Sequence, residues 1–118
     1  LSLCERSYIV SGGREIFLSF EDRGRDLIAA FLRLSVRDEG ACHVRELHTY
    51  GRALALGERP LGSVWQHRGL GRRLLHLAEE RGGDAGAGVM HVTSGIGARD
   101  YYRGLGYRLR TFYMTKPL

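Results

Sequence analysis

The chain has 118 residues, of which 43% are hydrophobic and 26% are charged, and its net charge is +5 at pH 7. This size and composition predict one soluble globular domain over 1–118, with a core large enough to need no disulfide framework. The longest apolar run, 27–32, is too short to cross a bilayer, and no signal-peptide pattern opens the chain. We therefore expect a cytoplasmic protein with no membrane partner.

The charged and metal-binding residue types limit the partners. A net positive charge favours an acidic partner, such as a phosphorylated cofactor or a nucleic acid. Cys4 and Cys42 are far apart and form no Cys-x-x-Cys pair, so they are expected to be free thiols. The histidines show no spacing typical of metal ligands, and we predict no metal.

Strand patterns fill the first half of the chain. Residues 14–20 alternate apolar and polar side chains and 27–36 are apolar, which predicts an antiparallel hairpin, whereas 1–10 has no clear pattern. A third strand is predicted over 41–50, where alternation puts Glu46, His48 and Tyr50 on one face. The connection 51–65 is long enough to suggest a functional loop.

Helices and strands alternate in the second half. Apolar residues at helical spacing predict a helix over 70–81, ended by Gly82-Gly83. A strand over 89–93, a short helix over 98–103 and a final strand over 107–114 complete an α/β arrangement. The helix over 70–81 would connect the first parallel pair of strands, so its N-terminus should lie at their carboxyl ends, where such sheets bind ligands.

The start of that helix is unusual. No Ser, Thr, Asp or Asn caps it, and Gly69 and Gly71 flank its first residue, so several backbone N–H groups lack side-chain partners. Arg68, Arg72 and Arg73 add positive charge where the helix dipole is already positive, which is unfavourable unless an anion binds. The pattern predicts a phosphate-binding loop. The alternative is a glycine-rich turn that enters an ordinary surface helix.

Two motifs point to a family. The loop is neither a P-loop nor a dinucleotide fingerprint, and its Gln66-x-x-Gly69-x-Gly71 pattern resembles the acyl-CoA pyrophosphate loop of GNAT acetyltransferases. Downstream, the Tyr-Tyr-x-x-x-Gly-Tyr pattern of 101–107 resembles their usual Phe-Tyr-x-x-x-Gly-Phe. The resemblance implies a GNAT-like fold, with a mixed sheet flanked by helices, and acetyl-CoA as co-substrate.

A wider resemblance covers nearly the whole chain. Its segments are Ser11–Glu15, Arg45–Gly51, Trp65–Gly71, Ser94–Gly97 and Tyr101–Tyr107. Together they are similar to the C-terminal acetyltransferase domain of the Elongator catalytic subunit. Members of that family carry an upstream radical-SAM domain and use acetyl-CoA to begin carboxymethylation of the wobble uridine in tRNA, and a lysine acetyltransferase role has also been assigned to them. These residues lack the three-cysteine motif of that domain, so a radical-SAM domain or subunit is an expected partner. The usual first strand and paired helices of a GNAT are also not evident.

The candidate site residues follow from both arguments. The pyrophosphate would be bound by Gln66, His67, Arg68, Gly69, Leu70, Gly71 and Arg72, with Tyr101 beside them. Tyr102 is the candidate acid for the CoA thiolate, because a phenol can donate a hydrogen bond to it. Tyr101 is the competing candidate, and Tyr102 could instead be a core residue.

Glu46 is the candidate general base, with His48 as its neighbour or alternative. A carboxylate on a strand is, however, often simply paired with an arginine. Three functions remain open: an acetyltransferase domain acting in tRNA wobble-uridine modification, a protein-lysine or small-amine N-acetyltransferase, and a non-catalytic module that senses acyl-CoA and binds tRNA.

Overall fold

The computed structural model describes residues 1–50 and 69–118. In these ranges the chain forms β1 (Ser2–Val10), β2 (Gly13–Asp22), β3 (Leu27–Arg37), β4 (Ala41–Thr49), α1 (Leu70–Asp84), β5 (Val89–Val92), a 3₁₀ turn (Ile96–Ala98), α2 (Arg99–Arg103), β6 (Arg108–Arg110) and β7 (Tyr113–Pro117). These seven described strands make one sheet in the order β1-β2-β3-β4-β5-β7-β6. The predicted α/β class is confirmed.

The strand pairing agrees with the predicted topology. β2 and β3 form the predicted antiparallel hairpin, and β4 returns antiparallel along β3. β4 then pairs with β5 in parallel, and α1 lies between these two strands in the sequence, as predicted. A parallel pair needs such a crossover, because a tight turn can join only antiparallel strands.

The core lies between α1 and one face of β2, β3 and β4. Ile16 and Leu18 pair with Leu34 and Leu32 across the β2–β3 ladder, and all four side chains are buried. The buried residues of α1 come from a stripe at helical spacing, namely Leu70, Gly71, Leu74, Leu75, Ala78 and Gly82. Burying one leucine side chain contributes about 1.5–3 kcal/mol, so this contact fixes α1 on the sheet.

The predicted end of α1 is wrong. The helix continues through Gly82-Gly83 to Asp84. A Cβ on Gly82 would lie 2.6 Å from the Cys42 sulfur, so glycine here permits close packing on β4 rather than ending the helix. The stop is Gly86, which has a φ of 86°. Its N–H bonds to the Gly83 carbonyl and the N–H of Ala87 to the Gly82 carbonyl, a Schellman motif.

Two strand expectations are also corrected. A first strand is present, since Ser2–Val10 pairs with β2 along its whole length. It is an edge strand in which Cys4 is the buried residue, so backbone pairing rather than apolar alternation defines it. The final strand predicted over 107–114 is instead the hairpin of β6 and β7, which turns through Thr111 with a φ of 56°. That turn contains none of the usual turn residues, so no local pattern predicts it.

Candidate functional site

Strands β4 and β5 separate and leave a cleft between them. Their ladder joins 41–44 to 89–92, and one further bond runs from the Thr93 N–H to the Val44 carbonyl at 3.2 Å. The cleft has a volume of about 310 Å³ and is lined by Leu47, Thr49, Gly69, Leu70, Gly71, Arg72, Tyr101 and Tyr102. It therefore lies at the carboxyl end of a parallel pair and at the N-terminus of α1, as predicted.

A β-bulge in β4 determines which side chains reach the cleft. Val44 pairs with Leu34 and Glu46 with Arg33, so Arg45 has no opposite residue in the ladder. The extra residue changes the alternation, and Leu47 follows Val44 on the α1 side although the two are three positions apart. Leu47 and Thr49 thereby line the cleft, which simple alternation along the sequence does not reveal.

The N-terminus of α1 is open toward the cleft. Gly69 is its N-cap with a φ of 65°, no side chain caps the helix, and its first turn holds no acidic residue, as the sequence predicted. Within the helix, the first N–H bond comes from Arg73 to the Gly69 carbonyl at 3.0 Å, and among the described residues no carbonyl accepts a bond from the preceding N–H groups of α1. The predicted contributions of Gln66, His67 and Arg68 lie outside the described residues.

Gly71 keeps this part of the cleft empty. A Cβ built on it would lie 3.5 Å from the Thr49 methyl carbon and 3.7 Å from the Tyr101 hydroxyl oxygen. One methyl group would therefore fit at ordinary contact distance, but a larger side chain would occupy the space between α1, β4 and α2. The glycine at this position widens the cleft beside the free N–H groups.

The two described arginines of the first turn have different surroundings. Arg72 lines the cleft, and its charge favours ionisation of the Tyr101 phenol, although burial of that phenol outweighs it and raises the pKa. The guanidinium of Arg73 lies 4.6 Å from the centre of the Phe20 ring, a cation–π contact with β2. Arg72 is thus the better placed of the two for an anion in the cleft.

Tyr101 and Tyr102 both line the cleft, so the structure brings together the two competing candidates. Their rings meet edge to face at 5.2 Å. Tyr102 is 6% exposed and Tyr101 is 46% exposed. Burial raises the pKa of the Tyr102 phenol, and neighbouring Tyr101 adds to that rise. The Tyr102 phenol is therefore protonated at neutral pH, which keeps it a hydrogen-bond donor.

A polar cluster that the sequence did not predict packs against Tyr102 through Tyr107. Tyr107 is buried, packs edge to face on Tyr102 at 5.9 Å, and donates a 2.6 Å hydrogen bond to Glu79 of α1. Lys116 of β7 donates to the same carboxylate at 3.3 Å and to the Leu105 carbonyl at 3.2 Å. Glu79 is distant from both partners in sequence, and only the helical phase of α1, which brings it toward β7, could have indicated the cluster.

Glu46 and His48 lie on the other face of β4. Glu46 pairs with Arg33 in the ladder and accepts a hydrogen bond from its guanidinium at 2.7 Å. His48 is opposite Phe31, and the ring centres are 5.1 Å apart. The predicted shared face of Glu46, His48 and Tyr50 agrees with this arrangement, and neither Glu46 nor His48 lines the cleft that contains Tyr102.

Other predicted features concern metals, thiols and membranes. Cys4 and Cys42 are free thiols, as predicted, and both are buried. Across 1–50 and 69–118, no three His, Cys, Asp or Glu side chains come together as metal ligands. The described helices also include none with the length and apolar character needed to cross a bilayer.

Solved structures show which fold the chain has. The fold is shared with a GCN5-related N-acetyltransferase from Rhodopseudomonas palustris, with a TM-score of 0.62 and 18% identity over 88% of this chain and 62% of that one. It is also shared with the PaiA N-acetyltransferase from Thermoplasma acidophilum, solved in complex with coenzyme A, with a TM-score of 0.63 and 16% identity over 88% and 61% of the two chains. The chain has the GNAT acyltransferase fold.

Sequence similarity identifies the family. The chain is 42% identical, over its whole length, to 24% of the tRNA uridine(34) acetyltransferase of Methanocaldococcus jannaschii, and 39% identical, again over its whole length, to 23% of human Elongator complex protein 3. The solved Elp3 of Methanocaldococcus infernus, with its N-terminus deleted, matches 99% of this chain and 30% of its own with a TM-score of 0.83 and 41% identity. No family model matches the chain.

The chain belongs to the tRNA uridine(34) acetyltransferase and Elongator complex protein 3 family, within which it corresponds to the C-terminal part. It spans about a quarter of the length of these curated relatives.

Proposed function

We propose that the chain is an acetyl-CoA-dependent acetyltransferase domain that acts, in the cytoplasm, in modification of the wobble uridine of tRNA. The observation that carries the proposal is the uncapped start of α1, which faces the β4–β5 cleft next to Tyr101 and Tyr102. Family membership supports the same activity, because relatives are named tRNA uridine(34) acetyltransferases.

The first turn of α1 would bind the CoA pyrophosphate. Its free N–H groups and the positive end of the helix dipole attract an anion, and Arg72 adds a full charge at the cleft. Gly69 and Gly71 allow the phosphates to approach the backbone closely. By resemblance, Gln66, His67 and Arg68 continue the same loop.

Tyr102 would assist departure of the CoA thiolate. Acetyl-CoA supplies an activated acetyl group, and transfer of that group leaves a thiolate that must be stabilised. Tyr102 is buried at the cleft, its phenol is protonated at neutral pH, and it makes no hydrogen bond to another described residue. An unpartnered phenol of this kind can donate to the developing negative charge. Tyr101 is the alternative donor.

Glu46 would accept a proton on the acceptor side. Its carboxylate is 39% exposed and is held by Arg33, so it is oriented and still accessible to an acceptor or a water molecule. His48 lies next to it on the same face and is the alternative base. The opposite locations of Glu46 and Tyr102 would let acceptor and donor reach β4 from different sides.

A radical-SAM domain or subunit would be needed for the complete modification. The resemblance implies such a domain upstream, and the chain spans about a quarter of its relatives. The acetyltransferase domain alone would then bind acetyl-CoA and release CoA, by transfer or by hydrolysis, without completing the modified base.

The test is CoA release from acetyl-CoA by the purified chain, measured with and without unmodified tRNA. We expect release that rises when tRNA is added. If CoA release did not change with tRNA but rose with lysine peptides or small amines, the chain would be an N-acetyltransferase with a different acceptor. Binding of acetyl-CoA with no release under any condition would support the non-catalytic module instead.

A further inference from the structure

Aromatic rings form a row on the face of the sheet opposite α1. We call Phe17 of β2, Phe31 of β3, His48 of β4 and Tyr50, which follows β4, the ring row. The Phe31 ring is central, with its centre 5.3 Å from that of Phe17, 5.1 Å from that of His48 and 6.0 Å from that of Tyr50. The ring planes are inclined to that of Phe31 by 21° for Phe17, 31° for His48 and 30° for Tyr50.

The ring row differs from the aromatic contacts of the core. Tyr102 meets Tyr101 and Tyr107 edge to face, at 79° and 71°, which is typical of packed rings. In the ring row, His48 is exposed, the other three are half-buried, and the planes of His48 and Tyr50 differ by 12°. A row of accessible ring faces can be extended by one more planar ring.

Hydrogen-bonding groups lie directly beside the ring row. Arg33 and Glu46 are each two residues along the strand from a ring of the row, Phe31 and His48 respectively, on the same face. Two residues along a strand span about 7 Å, a separation that long side chains such as those of Arg33 and Glu46 can bridge. The guanidinium supplies donors and the carboxylate supplies acceptors, so the pair can meet the polar edge of a base stacked on the rings.

We propose that the ring row binds an unpaired RNA base by stacking, with Arg33 and Glu46 at the polar edge of that base. The inference rests on the proposed function, since it gives that function an acceptor-binding surface. Three observations favour RNA over a protein partner: the row of accessible rings, the paired donor and acceptor beside them, and a net charge of +5. Stacking on aromatic side chains is the usual way in which single-stranded RNA bases are held.

The location fits the division of β4 into two sides. The ring row and the cleft flank the same segment of β4, because His48 faces one side while Leu47 and Thr49 face the other. A base on the ring row would lie next to Glu46, while a thioester in the cleft would lie next to Tyr102. The distal end of β4, past its last contact with β5, would be the shared element.

The experiment measures RNA affinity with no acetyl-CoA present. The probe is an RNA hairpin with a uridine in its single-stranded loop, compared with the same hairpin carrying an abasic ribose at that position. His48→Ala should weaken binding of the uridine hairpin about 5- to 150-fold, the range expected for losing one base–aromatic stack. His48→Phe should retain the affinity, because a phenyl ring stacks but cannot exchange a proton.

Two controls make the result specific to stacking. Phe112→Ala removes an aromatic side chain that is 79% exposed and far from the ring row in the sheet, and should not change the affinity. The abasic hairpin should bind the native chain and His48→Ala equally. Stacking also predicts that His48→Ala leaves the salt dependence of the dissociation constant unchanged, since no phosphate contact is lost.

Several outcomes would overturn the inference. Equal affinity of the native chain and His48→Ala for the uridine hairpin would do so, and would leave the ring row to a protein partner. Loss of affinity in His48→Phe as well as His48→Ala would exclude stacking as the cause. Acetyl-CoA binding is measured separately in the same variants, so a failure of the proposed acetyltransferase function would be seen independently of RNA binding.

Discussion

The two sides of β4 show two different ways of forming a binding surface. On the α1 side, the cleft is a space left by backbone geometry, because β5 departs, the helix begins without a cap, and Gly71 lacks a side chain. On the opposite side, the ring row is built from side chains on strands that stay paired. The first suits phosphates, which bind backbone N–H groups, and the second suits a flat apolar group.

The difference means that the two surfaces should respond to different substitutions. Changes in the cleft should affect acetyl-CoA and CoA release, and changes in the ring row should affect RNA affinity. A substitution that alters both equally would argue against separate donor and acceptor sides.

Tyr102→Phe should give the largest effect. It removes the buried phenol of the cleft while keeping the ring that packs on Tyr107. We expect CoA release to fall about 100-fold, the lower range for loss of a positioned acid, with unchanged affinity for acetyl-CoA. The measurement is steady-state CoA release beside a binding titration. Tyr8→Phe removes the same hydroxyl group from exposed β1, and this control should release CoA at the native rate. If Tyr102→Phe also released CoA at the native rate, Tyr101 would be the donor instead.

Gly71→Leu should weaken acetyl-CoA binding by about tenfold or more, equivalent to about 1.4 kcal/mol. The side chain would enter the cleft between Thr49 and Tyr101, where only a methyl group fits at contact distance. Calorimetric titration with acetyl-CoA measures the loss. Gly83→Leu is the matched control on the same helix, since a Cβ there meets nothing within 4 Å. If the two variants bound acetyl-CoA with equal affinity, the first turn of α1 would not be part of the binding site.

Tyr107→Phe should lower the free energy of unfolding by about 1–1.5 kcal/mol. The phenol donates a 2.6 Å hydrogen bond to Glu79, whose carboxylate keeps Lys116 as a partner after the substitution. Urea denaturation gives the value. Because the ring that supports Tyr102 remains, acetyl-CoA affinity should change little; a loss of affinity larger than the loss of stability would show that the hydrogen bond itself shapes the cleft.

Alkaline pH should reduce stability gradually. Burial raises the pKa of the Cys42 thiol from 9.0 to about 11. Above pH 9.0 the unfolded thiol loses its proton while the folded one keeps it, so the unfolded state is favoured as pH rises, by at most about 1.4 kcal/mol per pH unit for this group. Denaturation curves across this range measure the slope. In Cys42→Ala the free energy of unfolding should fall less steeply just above pH 9.0. If its slope against pH were unchanged, other groups would cause the loss of stability.

The sequence predicted those parts of the molecule that follow local rules. The β2–β3 hairpin, the parallel pair joined by α1, and the uncapped helix start all have local patterns, and all are present. Edge strand β1 and the turn at Thr111 have no such pattern, because β1 buries Cys4 alone among its side chains and the turn contains none of the residues that usually form turns. Gly82 resembles a stop signal, because a glycine that permits close packing looks the same in sequence as one that ends a helix.

The candidate site was predictable in its parts but not in its arrangement. Motifs placed the tyrosines near the helix start, and alternation placed Glu46 beside His48. The sequence could not show that both Tyr101 and Tyr102 reach the cleft, or that the bulge at Arg45 directs Leu47 toward it. The support of Tyr102 by Glu79 and Lys116 depends on contacts between residues far apart in the chain.

The most direct test is an NMR titration of the isotopically labelled chain with acetyl-CoA. We expect the backbone amide signals of Gly69–Arg72 and of the two cleft tyrosines to shift on binding, while those of Phe17 and Phe31 do not. Shifts confined to the ring row, or specific binding that leaves the first turn of α1 unchanged, would contradict the assignment of the cleft as the donor site.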